Sequence, residues 1–169
     1  MTRIALALFD QLRPLHGYGP AARRLLEIAG RLHDIGWSRV VSGKHHKWSG
    51  AMILDSRIPG LDPRGRLTCA LVARYHTKAL PDVSRHRRFA SLSSGTRKKV
   101  QWLAGILRVA DGLDSTHNLV VKQVHCEISP KRIVLRMETT GNCLREAERA
   151  RQKQDLLARM TGREIDYRC

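Results

Sequence analysis

The sequence lacks an apolar run long enough to cross a membrane. A transmembrane helix needs about 20 consecutive apolar residues, and arginine, lysine or glycine interrupts every candidate stretch of this chain. The apolar stretch over residues 4–9 has no small-residue cleavage site after it, so a helix is favoured there over a signal peptide. We therefore expect a cytoplasmic protein without a membrane partner.

Cysteine and aromatic residues are also scarce. The four cysteines show none of the CxxC spacing of zinc sites and redox motifs, so we expect them to be reduced. Aromatic residues make up 5% of the chain, which argues against a platform for stacking the bases of single-stranded nucleic acid. The chain also lacks a helix-turn-helix or RNA-recognition signature, so nucleic-acid binding is the least favoured function for a protein of this charge.

Acidic residues are few, and the chain is strongly basic. Fifteen Asp and Glu residues face 31 Lys and Arg residues, for a formal net charge of +16. The positive electrostatic potential of such a protein attracts polyanions, including nucleic acid, polyphosphate, nucleotides and anionic membranes. The candidate polyanion-binding residues are Lys44, Lys47, Arg85, Arg87, Arg88, Arg97, Lys98 and Lys99. The last three lie at a predicted helix N-terminus, where free backbone N–H groups add anion affinity. A solvated charged surface is the alternative for each cluster.

Hydrophobic periodicity predicts a mainly α-helical single domain over residues 1–169. Helices are predicted over residues 4–12, 20–34, 49–55, 66–76 and 97–113, and a charged helix is predicted over 146–160. Alternating apolar residues over 120–128 and 132–137, joined by a Ser-Pro-Lys turn, predict a β-hairpin. The expected architecture is a helical bundle over residues 1–117 with an appended hairpin and last helix over 118–169.

Histidines and aspartates recur at the ends of the predicted helices or in the loops beside them. The set is His33, Asp34, His45, His46, His76 and Asp111. Burying an imidazole beside a carboxylate is costly unless both groups are satisfied. Converging helix ends would let such residues hold Mn²⁺, Fe²⁺, Zn²⁺ or Mg²⁺, and that ion would activate water and bind a phosphoryl oxygen. For any single histidine, a hydrogen-bonded core residue is the alternative.

Four motifs follow one another along the chain. They are Leu-His-Asp-Ile-Gly at 32–36, His-His-Lys-Trp-Ser at 45–49, Ala-Arg-Tyr-His at 73–76 and Leu-Arg-Val-Ala-Asp-Gly-Leu-Asp at 107–114. Together they resemble the C-terminal HD-type domain of the exopolyphosphatase/guanosine pentaphosphate phosphatase (Ppx/GppA) family, over essentially the whole chain. The resemblance implies an HD-domain-like helical bundle, and enzymes of the HD superfamily are metal-dependent phosphohydrolases.

Two departures limit what the resemblance implies. HD enzymes take a further histidine ligand from the first helix, but residues 4–12 contain none and His16 follows that helix. The resemblance therefore implies His33, Asp34 and Asp111 as metal ligands and catalytic residues. His45, His46 and His76 lie where additional HD ligands occur. Second, the catalytic machinery of Ppx/GppA proteins lies in actin-like domains with glycine-rich phosphate loops, and this chain has no such loop.

These observations lead to two hypotheses. In the first, the chain binds polyphosphate or a nucleotide as a binding or regulatory module, because this region of the family is thought to hold polyphosphate and to support dimer formation. A separate actin-like phosphatase chain and a second copy of the chain are its candidate partners. In the second, the chain is a stand-alone metal-dependent phosphohydrolase. A divalent ion would bind His33, Asp34 and Asp111, with another histidine completing its shell or acting as general acid.

Overall fold

Nine α-helices, one 3₁₀ helix and a three-stranded sheet make up this computed structural model, which describes residues 1–169. The helices are α1 (Thr2–Gln11), α2 (Arg13–His16), α3 (Pro20–Leu32), the 3₁₀ helix (Ile35–Arg39), α4 (His45–Asp55), α5 (Pro63–Arg74), α6 (Arg87–Ala90), α7 (Ser94–Gly112), α8 (Leu144–Arg151) and α9 (Asp155–Thr161). The strands are β1 (Val121–Ile128), β2 (Arg132–Thr139) and β3 (Glu164–Arg168). The predicted mainly α-helical fold with an appended hairpin is confirmed. None of the helices combines the length and apolarity that a membrane span requires.

Local sequence signals explain where several helices begin. Prolines occupy the first turns of α3 and α5, where a missing N–H costs nothing. Helix α5 is also capped, since Asp62 Oδ1 accepts a hydrogen bond of 2.7 Å from Gly65 N. At the start of α7, Ser93 Oγ accepts one of 3.4 Å from Thr96 N. The C-terminal ends of α3, α5 and α7 meet at the candidate site, where side chains that lie at or just after these ends approach one another.

Helix α7 runs through the centre of the molecule. It packs against α1, α3, α5, α8 and α9, and every residue from Val100 to Gly112 except Gln101 is buried. One hydrophobic core joins helical residues such as Leu26 and Leu107 to sheet residues such as Leu135. Residues at the C-terminal end of α7 are therefore held in the interior. The single domain and its division near residue 117 stay predictions.

The predicted helix over residues 146–160 is wrong in its middle. Helix α8 ends at Arg151 and α9 begins at Asp155. The buried guanidinium of Arg108 donates a hydrogen bond of 3.2 Å to Lys153 O, and this contact holds the intervening turn against α7. After α9 the chain forms β3, which pairs in parallel with β2. The predicted hairpin is therefore two strands of a three-stranded sheet.

The region before the site also differs from the predicted elements. Helix α4 begins at His45 instead of residue 49, so the adjacent residues His45 and His46 lie in a helix and not in a loop. Lys44 precedes α4 in the left-handed conformation, at φ 55°. Helix α6 is a short turn of helix in the segment between the predicted helices over residues 66–76 and 97–113.

Two of the four cysteines form a disulfide, Cys143–Cys169, with a Cα–Cα distance of 6.1 Å. The expectation of four reduced cysteines is therefore wrong for this pair. The two residues are 26 positions apart, and only the pairing of β3 with β2 brings Cys169 next to the start of α8. Cys69 and Cys126 are free thiols.

Candidate metal centre and basic cavity

Four helices and one short 3₁₀ segment bring five candidate ligands together. We call His33, Asp34, His45, His76 and Asp111 the His/Asp cluster. His33 and Asp34 lie between α3 and the 3₁₀ helix, and His45 begins α4. His76 follows α5 by two residues, and Asp111 lies in the last turn of α7. All five lie at or beside helix ends. This was predicted for every member except His45, which was expected in a loop and begins α4 instead.

Asp34 lies at the centre of the cluster. Its Oδ2 is 3.3 Å from His33 Nε2, and its Oδ1 is 3.3 Å from His45 Nε2 and 3.5 Å from His76 Nε2. Asp111 Oδ1 is 3.6 Å from His33 Nε2. The Nε2 atoms of His45 and His76 are 3.2 Å apart. Three imidazole nitrogens and two carboxylates thus converge on one small volume.

Backbone carbonyls orient two of these imidazoles. His33 Nδ1 lies 2.8 Å from Gly30 O, and His76 Nδ1 lies 2.7 Å from Ala73 O. Both carbonyls belong to the last turn of a helix, where carbonyls lose their i+4 helical partners. A proton on each Nδ1 leaves each Nε2 as a lone-pair donor facing Asp34, which is the arrangement typical of metal-binding histidines.

The cluster leaves some of its own polar atoms without hydrogen bonds. His33 Nε2 and Asp34 Oδ1 are both buried and have no hydrogen-bond partner. Buried acceptors without partners are destabilising, and a divalent ion would satisfy both atoms at once. The residues present therefore fit a metal ion.

Burial and nearby charges set the ionisation of the cluster. Burial lowers the pKa of His76 to about 3, so this imidazole is neutral near pH 7. Burial also lowers the pKa of His33, but its contact with Asp111 and the charge of Asp34 outweigh that effect and raise it overall. Burial would raise the pKa of Asp111, but the contacts with His33 and Lys153 hold it far below its ordinary value. Asp111 is therefore a carboxylate.

Two histidines that the sequence analysis considered, His16 and His46, lie outside the cluster. The ring centroid of His46 is 5.6 Å from that of His45, and burial lowers the pKa of His46 to about 4. His46 makes no contact with either carboxylate of the cluster. His16 Nε2 lies 2.9 Å from Phe9 O, and its ring stacks with Tyr18. His16 therefore does not replace the histidine that HD enzymes take from the first helix.

Lys153 belongs to the site, although the sequence analysis missed it. Its Nζ forms an ion pair with Asp111 Oδ2. With Arg149 and His117, it lines a cleft of about 290 Å³ over the cluster. Trp37 lies on another side of the cleft, and its ring stacks on His45 with centroids 4.1 Å apart. Because Lys153 and Arg149 lie in a stretch dense in charges, nothing in the local sequence distinguishes them from solvent-facing cations.

A second cavity gathers part of the predicted polyanion-binding residues. It has a volume of about 430 Å³, and we call it the basic cavity. Its basic lining residues are Lys47, Arg74, Arg85, His86, Arg87 and Arg88, and no carboxylate lines it. Tyr75 also lines the cavity with a buried hydroxyl that lacks a hydrogen-bond partner. Arg74, Tyr75 and His86 are new members of this set.

The remaining predicted polyanion-binding residues lie elsewhere. Lys44 is exposed before α4 and does not line the basic cavity. Arg97, Lys98 and Lys99 lie in the first turns of α7. The Arg97 guanidinium donates hydrogen bonds of 3.1 and 3.0 Å to Ala90 O and Leu92 O, so it stabilises the segment before α7.

The chain matches one known protein family over most of its length. Residues 1–159 match the family model described as Ppx/GppA phosphatase, domain III. This chain belongs to that family. No curated protein gives a significant match to the chain. The match confirms the Ppx/GppA resemblance, and it includes the His/Asp cluster, Lys153 and the basic cavity.

This Ppx/GppA domain III therefore presents two distinct chemical environments. The His/Asp cluster offers mixed nitrogen and oxygen donors, a set that suits Mn²⁺, Fe²⁺ or Zn²⁺ better than Mg²⁺. The basic cavity offers guanidinium and ammonium groups, which form charge-assisted hydrogen bonds with phosphate oxygens.

Proposed function

We propose that this Ppx/GppA domain III binds phosphate polyanions in its basic cavity. The observation that supports this most directly is the convergence of five cationic side chains on one cavity without a carboxylate. They are Lys47, Arg74, Arg85, Arg87 and Arg88. Burial raises the pKa of Tyr75 to about 12, so its phenol stays protonated and can donate a further hydrogen bond to a phosphate oxygen.

Polyphosphate and a nucleotide are the two ligands that this cavity suits. The cationic residues match the phosphates of either one. The apolar lining includes Leu54, Leu67 and Leu71, and only a nucleotide would cover these side chains with its base. Tighter binding of a nucleoside triphosphate than of tripolyphosphate would therefore identify the nucleotide as the ligand.

Calorimetric titration of the purified protein with tripolyphosphate tests the proposal. Replacing Arg87 and Arg88 together by alanine should weaken binding by at least about tenfold, because hydrogen bonds to charged groups contribute roughly 1.5–3 kcal/mol each. The charge-matched control replaces Lys98 and Lys99, which lie outside the cavity. Equal losses of affinity in the two double variants would show that net charge alone drives binding, and would overturn the proposal.

In this role the domain would serve as a binding or regulatory module. We propose a separate actin-like phosphatase chain and a second copy of this chain as its partners. Sedimentation of the protein alone, and of its mixture with an actin-like Ppx/GppA chain, tests both. A monomer that leaves the sedimentation and activity of the partner unchanged would rule out this part of the proposal.

The His/Asp cluster supports a second candidate function, a metal-dependent phosphohydrolase. His33, Asp34 and Asp111 would hold a divalent ion, and His45 and His76 offer two further nitrogens. A bound ion would lower the pKa of a water ligand and stabilise charge on a phosphoryl oxygen. The orphaned buried atoms of His33 and Asp34 favour this candidate, and the exposed Arg149 at the cleft provides a contact for phosphate.

Phosphate release from polyphosphate and from nucleotides, measured with added Mn²⁺ or Zn²⁺, tests this second candidate. Release should disappear in His33→Ala and Asp111→Ala but persist in His125→Ala. His125 is an exposed residue of β1 that pairs with Glu138, away from the cluster. Release that survives both cluster variants would come from another protein in the preparation and would remove the candidate.

A further inference from the structure

The contact between Lys153 and Asp111 differs from the surface ion pairs of this chain. Asp111 is 9% exposed, and the Lys153 ammonium lies against its Oδ2. A buried carboxylate without a partner would be strongly destabilising. Lys153 therefore supplies the positive charge that Asp111 needs. A divalent ion would supply the same kind of charge to the same carboxylate.

The backbone of Lys153 is held firmly beside the cluster. Arg108, which is 4% exposed, donates a hydrogen bond of 3.2 Å to Lys153 O and another of 3.2 Å to Tyr75 O. Its guanidinium also pairs with Asp155 at 3.0 Å. One buried arginine thus ties the turn between α8 and α9 to the C-terminal end of α5.

A close helix contact holds α8 in the same place. A Cβ atom on Gly112 would lie 2.5 Å from Ala150 Cα, so α8 rests directly on α7 at the residue after Asp111. Lys153 follows Ala150 by three positions. Its side chain therefore extends from a fixed backbone position toward Asp111.

We propose that Lys153 acts as a built-in counter-cation of Asp111 and weakens divalent-ion binding on the His33–Asp111 side of the cluster. An ion bound to Asp111 would either share the carboxylate with the Lys153 ammonium or displace that ammonium. If the two shared it, the positive charges of the ion and of the ammonium would lie close together and would repel strongly. The carboxylate of Asp34 has no lysine or arginine partner and faces the imidazoles of His33, His45 and His76. The competing positive charge therefore acts on the Asp111 side of the cluster and not on the Asp34 side.

Calorimetric titration with Zn²⁺, without any phosphate substrate, tests the role of Lys153. The Lys153→Met variant keeps the length of the side chain and removes the charge, so we expect Zn²⁺ to bind at least about tenfold tighter than to the wild type, a gain of about 1.4 kcal/mol. Adding Asp111→Asn to this variant should abolish the gain. Lys153→Arg, which keeps the charge, should bind Zn²⁺ with wild-type affinity.

Arg149→Met is the matched control, because Arg149 lies in the same cleft but bonds to Gln152 Oε1 at 3.2 Å instead of a cluster carboxylate. It should leave Zn²⁺ affinity unchanged. Equal affinities in the wild type and Lys153→Met, or a gain that survives Asp111→Asn, would overturn the proposal. If Lys153→Met melts early without metal, Zn²⁺ should restore its melting temperature, and failure to restore it would also count against the proposal. Phosphate release plays no part in this readout, so its outcome is independent of the phosphohydrolase candidate.

Discussion

Replacing Gly36 by alanine should destabilise the fold and displace one side of the His/Asp cluster. Gly36 lies in the 3₁₀ helix, two residues after Asp34. A Cβ atom built on it would lie 2.1 Å from His45 O and 2.6 Å from Ser49 N. Both neighbours are backbone atoms of α4, so no side-chain rotation can relieve the overlap. The N-terminal turn of α4, and His45 with it, would have to move.

The size of the effect follows from these distances. The contact with His45 O is more than an ångström shorter than an ordinary van der Waals contact, and overpacking of a well-packed interior typically costs about 1–3 kcal/mol. Gly36 N also donates a buried hydrogen bond of 2.9 Å to Ser49 Oγ, and loss of such a bond adds about 1 kcal/mol. We therefore expect the free energy of unfolding to fall by about 2–4 kcal/mol. The smaller unfolded-state entropy of alanine offsets only about 0.4–1 kcal/mol of this.

Urea unfolding followed by circular dichroism measures the change, with Gly95→Ala as the matched control. Gly95 lies in the first turn of α7, and a Cβ atom there would meet no heavy atom within 4 Å. The control should be neutral or slightly stabilising. Surface substitutions usually change the free energy of unfolding by no more than about 0.5 kcal/mol. If the value for Gly36→Ala lies within that range of the wild type, then α4 does not contact Gly36 as described.

Three further predictions concern the rest of the fold. Unfolding without a reductant should expose only the thiols of Cys69 and Cys126 to a thiol reagent, while unfolding after full reduction should expose four thiols. In the folded protein, Cys69 and Cys126 should react slowly at pH 8, because burial raises the pKa of each thiol to about 12. Four thiols without reduction would show that the disulfide is absent. Asp62→Ala should lower the free energy of unfolding by about 1 kcal/mol, since it removes the cap of α5; Asp62→Asn should restore most of this in thermal unfolding. Arg108→Met should cost at least about 2 kcal/mol in urea unfolding, because it leaves buried carbonyls such as Tyr75 O without a donor, and an unchanged midpoint would contradict the role assigned to Arg108.

Much of the helical fold could be predicted from the sequence, because helix and hairpin signals are local. The apolar stripe of α7 repeats every three or four residues, and the Ser-Pro-Lys turn lies between two alternating stretches. The order of the four motifs also indicated the family. The same local signals placed His33, His76 and Asp111 at or near helix ends, where their convergence could be anticipated but not measured.

Strand β3, the disulfide and Lys153 were decided only by the tertiary structure. Arg132 of β2 lies opposite Glu164 of β3, 32 residues later, and Lys153 pairs with Asp111 across 42 residues. A parallel strand partner and a buried ion pair leave no periodic trace in the chain around them, since each depends on elements that are far apart in the sequence and meet only in the folded structure. The sequence by itself determined the main helices of the bundle, the hairpin and the types of donor groups, because these depend on local patterns. Packing around α7 decided which charges face one another.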